Sequence, residues 1–108
     1  METISFDDFK KLEIRIGKIL SAEKVEDSDK LLKLEVDFGE ETRQIVAGIA
    51  QFYAPEALIG KECPFAYNLA FRVLKGIESQ GMILCPSDES APVLLHPDKE
   101  VPPGSPIK

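Results

Sequence analysis

At 108 residues, with 44% hydrophobic and 30% charged side chains, the chain suits one compact domain with a modest core and is not a disordered segment. No apolar run nears the ~18 residues of a membrane span, and Met1-Glu2-Thr3 is acidic where a signal peptide is basic and then apolar. A cytoplasmic protein free of membrane contact is expected, and its net charge of −6 weighs against a nucleic-acid partner unless the charge is unevenly spread.

Ser5-Phe6-Asp7-Asp8 predicts a helix start, with Ser5 as the cap and Phe6, Phe9 and Leu12 on one side. That terminal apolar stripe suits packing on the body of the domain or a subunit contact. Leu12, Ile14 and Ile16 alternate with Glu13 and Arg15, which predicts a strand. The inward face switches at Gly17-Lys18, so a bulge or bend is expected there. Glu23 to Lys30 reads as a solvated acidic loop; it lacks the closing glutamate of a calcium loop. Leu32, Leu34, Val36 and Phe38 form the clearest alternation in the chain, with Lys33 on the polar face beside Glu35 and Asp37. A turn at Gly39–Thr42 leads to a third strand over 43–48, and Pro55 suits the first turn of a short helix closed by Gly60.

Residues 65–85 are the most informative stretch. Apolar runs at each end predict two short buried strands, joined by a connector that carries Asn68, Arg72, Lys75 and Ser79. Residues 1–41 hold 12 acidic and 7 basic side chains and residues 86–108 hold 4 and 2, whereas residues 42–85 hold 3 and 4. The connector thus lies in the only segment that is not acidic. Its cations, amide and hydroxyl suit phosphates, sugars and unstacked bases, and suit an ordinary solvated loop equally well.

Asn-Leu-x-x-Arg-x-x-x-Gly-Ile-Glu-Ser-Gln-Gly-Met, Asn68 to Met82 here, resembles the signature block of the tRNA-binding OB-fold family. That family includes stand-alone tRNA-binding proteins and the C-terminal domain or separate subunit of methionyl-tRNA synthetases. The resemblance runs from about Phe6 to the end. Pattern alone supports a small β-barrel or an α+β domain. The resemblance implies a mostly all-β, five-stranded OB-fold barrel with short helices, in a single domain over 1–108: barrel core about 12–85, C-terminal extension 86–108. It also implies non-catalytic, structure-specific binding of tRNA, a homodimer, and an association with an aminoacyl-tRNA synthetase as domain or subunit.

By motif match the RNA-binding residues are Asn68, Arg72, Lys75, Ser79 and Met82, with Gly76 and Gly81 serving backbone geometry. Arg72 and Lys75 neutralise phosphate, Asn68 and Ser79 exchange hydrogen bonds, and Met82 touches a base or belongs to the core. The family often has proline and lysine where this chain has Phe71 and Val73, and a His-Pro pair where it has Val25-Glu26. The missing lysine implies weaker binding; Phe71 stacks on a base or packs. No catalytic, metal or cofactor site is expected. His96, the sole histidine, has no second ligand at metal spacing, and Cys63 and Cys85 sit in apolar surroundings as reduced thiols. Val93-Leu94-Leu95 packs on the barrel or builds the dimer. Alternatives are a peptide-binding chaperone resembling CsaA, or a purely dimerising module.

Overall fold

The computed structural model describes residues 1–88 and 90–108. Helix α1 spans Phe6–Lys10, and the Ser5 hydroxyl accepts the Asp8 N–H, the cap the sequence predicts. Strands follow at β1 (Ile14–Lys24), β2 (Leu32–Asp37) and β3 (Thr42–Ala47). After a 3-10 turn at Pro55–Ala57 come β4 (Glu62–Ala66), β5 (Arg72–Leu74), β6 (Ile77–Ser79), β7 (Met82–Ile83) and β8 (Pro106–Ile107). The main sheet runs β3-β2-β1-β4-β7, with β8 added beside β1. Three strands, a short helical turn and two further strands make the OB-fold order, the barrel strands being β1, β2, β3, β4 and β7.

Strand β1 is long enough to serve two neighbours. Residues 14–18 pair with β4 and residues 18–24 with β2, both antiparallel. The register slips between Ile19 and Ser21, so the bulge falls beyond Gly17 and not at it. Gly17 meets a different need. A Cβ there would stand 2.4 Å from Val36 Cγ1 and 2.8 Å from Phe38 Cε1, so the glycine lets the β2 side chains lie against the β1 backbone. Leu32, Leu34, Val36 and Phe38 are buried as their alternation predicts, and with Ile19, Ile45, Leu58 and Phe65 they fill the barrel. Lys33 pairs across the ladder with Glu23, Nζ to Oε1 at 2.7 Å.

Every residue of β4 is buried, the pattern of a strand covered on both faces. The C-terminal extension supplies the outer cover. Tyr53 Oη accepts the Leu94 N–H at 3.2 Å, Glu62 Oε1 accepts the Val101 N–H at 3.0 Å, and His96 Nδ1 lies 2.7 Å from the Glu62 carbonyl oxygen. Leu94 packs on the core, whereas Val93 and Leu95 stay exposed. Cys63 and Cys85 are free thiols, and burial pushes the Cys63 thiol up to about 12. The helix expected from Pro55 amounts to a single 3-10 turn, and the polar connector after β4 is itself a two-stranded hairpin, β5 with β6.

Candidate nucleic-acid interface

The β5–β6 hairpin turns through Lys75 and Gly76, whose φ values of 51° and 78° are those of a two-residue turn with both central residues left-handed. Glycine tolerates this freely; lysine does so at a cost of ~1–2 kcal/mol. The turn holds the Lys75 side chain at the tip, exposed to solvent. Arg72, at the base, is exposed as well. Among the described residues, the ion pairs use Lys11, Arg15, Lys33 and Arg43, so neither Arg72 nor Lys75 is neutralised by a carboxylate.

Arg72, Ser79 and Met82 come together around a cavity of about 50 Å³ shared with Val46, Leu69 and Leu74. Met82 is 42% exposed at its edge, so its side chain is not core. Ser79 is buried: its hydroxyl accepts the Val46 N–H at 2.9 Å and donates to the Gly81 carbonyl at 2.9 Å. Asn68 lies on the other side of the connector. Its carboxamide accepts the Glu13 N–H and donates to the Lys11 carbonyl, both at 2.7 Å, clamping the junction between α1 and β1.

Closure of the barrel between β3 and the connector runs through side chains more than through a ladder. Gln44 and Gln80 exchange bonds, Gln80 N–H to the Gln44 carbonyl at 2.8 Å and Gln44 N–H to Gln80 Oε1 at 3.0 Å. Arg43 Nη1 donates to the Tyr67 carbonyl at 2.6 Å and to the Gln80 carbonyl at 3.2 Å. The same guanidinium lies 3.6 Å from the centre of the Tyr67 ring, with Arg15 at 4.4 Å from that ring. Tyr67 Oη donates to Glu41 Oε2, and this bond with the Arg43 charge holds the Glu41 carboxyl below its ordinary 4.5. Burial first, then the Glu41 bond, raises the Tyr67 phenol. Sequence reading missed this cluster. Its members come from β1, the turn before β3, β3 itself and the chain after β4, and only the apolar run ending at Tyr67 and the lone cation in β3 hint at it.

The family described as "Putative tRNA binding domain" matches residues 14–106, nearly the whole chain. The chain belongs to this family. It is 50% identical over 107 residues to the methionine–tRNA ligase of Caldanaerobacter subterraneus, a match covering 99% of this chain and 17% of that protein. The chain thus spans about a sixth of the length of such relatives. Among solved structures, the MetRS-related protein of Pyrococcus horikoshii superposes with a TM-score of 0.94 at 40% identity, each chain fully covered. The chaperone CsaA of Bacillus anthracis superposes at 0.91 and 34% identity, covering 99% of this chain and all of its own. Among the described residues no helix is long and apolar enough to cross a membrane.

Proposed function

We propose that this domain binds tRNA without chemistry of its own, through the β5–β6 hairpin, as a domain or subunit associated with methionyl-tRNA synthetase. One observation carries the reading: two cations that form no ion pair among the described residues share one hairpin on an acidic chain. Unpaired cations neutralise phosphate without first breaking an internal pair. In this reading Arg72 and Lys75 meet the RNA backbone and Met82 meets a base or ribose. Asn68 and Ser79 act one step back, fixing the connector on which those groups stand. A-form RNA hides its major-groove base edges, so shape, phosphate and 2′-hydroxyl contacts are the accessible mode of recognition.

The functional unit in this reading is a homodimer over residues 1–108, barrel and extension acting as one domain. Helix α1 has no buried residue, and five residues are too few to hold a helix alone in water. Phe6, Phe9, Leu12 and Ile14 line a groove of about 350 Å³ with Pro106 and Ile107 of the tail. An apolar groove built from both ends of the chain suits a second copy of itself. Light scattering at micromolar concentration then gives about twice the 12.0 kDa chain mass; a value near 12 kDa refutes the dimer. Likeness to CsaA supports a second reading, in which the domain holds peptides. Filter retention of total tRNA that falls steeply between ~50 and ~200 mM salt supports the first reading. Salt-insensitive peptide capture without tRNA retention supports the second.

A further inference from the structure

Three aromatic rings in succession, then a guanidinium, then a fourth ring lead outward from the core. Phe65 meets Phe38 edge-on at 5.4 Å, and Phe38 meets Tyr67 edge-on at 4.9 Å. Arg43 lies over Tyr67 at 3.6 Å, and over the Phe71 ring at 5.6 Å. The row ends there, on a phenylalanine that is 50% exposed. We propose that Phe71 is a stacking post for one unpaired base of the bound RNA, backed by Arg43. The proposal rests on the tRNA-binding reading above and names the kind of nucleotide its site takes.

Three observations support it. First, the backing is fixed: Arg43 is held by the Tyr67 and Gln80 carbonyls and by Glu41, so its position does not depend on Phe71. A flat post stacks a base well only if it does not move away, and a held guanidinium 5.6 Å from the ring centre favours that by cation–π attraction. Second, the surface around it is apolar where duplex-binding surfaces are charged. Val73, two residues beyond the ring, is 68% exposed, and Leu69, two residues before it, is 39% exposed. Third, Arg72 and Lys75 in the adjoining hairpin form no ion pair among the described residues, so the phosphates flanking a stacked base find partners there. An apolar peptide would use the ring and Val73 but would leave both cations without a partner. Rings interleaved with free cations are the combination single-stranded nucleic acid uses.

The chain has no tryptophan, so Phe71→Trp introduces one reporter at this position alone. Its fluorescence is titrated with total tRNA, with a single-stranded RNA dodecamer, with a twelve-base-pair RNA duplex and with an apolar peptide, while tRNA binding is followed separately by filter retention. Quenching by tRNA and the single strand, but not by the duplex, is expected, together with a roughly tenfold weaker tRNA affinity for Phe71→Ala and near-normal affinity for Phe71→Tyr. Phe71→Ala keeps the wild-type far-ultraviolet circular dichroism, since the ring is half in solvent. Retention of tRNA with unchanged tryptophan emission, quenching by duplex as strong as by single strand, or a Phe71→Ala affinity equal to wild type overturns the stacking post and leaves tRNA binding standing. A response to the peptide alone overturns it too. No retention of tRNA by the wild-type chain removes both readings together.

Discussion

Truncating Ser79 to alanine isolates the buried hydroxyl that joins β3 to the end of the hairpin. The variant removes two bonds of 2.9 Å at once and leaves the Val46 N–H and the Gly81 carbonyl unpartnered. An unsatisfied buried backbone group costs ~1–3 kcal/mol. Val46 is buried and Gly81 half-buried, so water can recover part of the second loss. The expected destabilisation is therefore about 2–4 kcal/mol, a large share of the ~5–15 kcal/mol of a typical domain. Urea unfolding followed by circular dichroism measures it directly, with an unchanged m-value if the native fold is kept. The midpoint of thermal unfolding then falls by roughly 10–25 °C. A loss below ~0.5 kcal/mol would show that Gln44 and Gln80 close the barrel unaided. Unchanged stability with weaker tRNA binding would instead put the Ser79 hydroxyl on the RNA.

Gly104→Ala tests the anchoring of the tail: at φ +89°, a Cβ would sit 2.0 Å from the Phe38 carbonyl oxygen. Strand β8 then detaches from β1, stability falls by about 2–4 kcal/mol, and the dimer dissociates at concentrations where the wild type holds; an intact dimer at unchanged stability refutes the role of the tail. Acid titration tests the Glu41 cluster. Because the folded-state pKa of Glu41 is depressed, its contribution is present above about 4.5 and is lost as pH falls through the lower folded value. Urea midpoints between pH 7 and pH 3 should therefore fall less steeply for Glu41→Gln, and parallel curves would refute the pairing with Tyr67 and Arg43.

Much of the barrel was legible because its strands announce their faces. Leu32, Leu34, Val36 and Phe38 obey period two, and Ser5 caps α1 through the spacing of one hydroxyl and one backbone N–H. Glycine was harder to read. Gly17 marks a strand bend or a close approach with the same letter, and only the positions of Val36 and Phe38 decide for close approach. The hairpin hid because lysine replaces the usual asparagine or aspartate before Gly76, which weakens the turn signal that flanking Val73-Leu74 and Ile77 would otherwise frame. In the candidate site, Arg72 and Lys75 are legible as polar chemistry within one block, whereas Met82 reads equally as core until the structure shows it 42% exposed. What sequence could not divide is contact from support: Asn68 and Ser79 bond to backbone 55 and 33 residues away. The Arg43–Tyr67–Phe71 row was invisible for the same reason, since no local pattern records which ring a guanidinium will cover.

The most direct measurement is the salt dependence of tRNA binding by the wild type and by the double variant Arg72→Ala, Lys75→Ala. Removing one cation from a phosphate flattens the plot of log affinity against log salt by roughly 0.7–0.9, so the double variant should show a slope shallower by about 1.5 and markedly weaker binding at ~50 mM salt. Equal slopes and equal affinities would contradict the claim that these two cations hold the RNA.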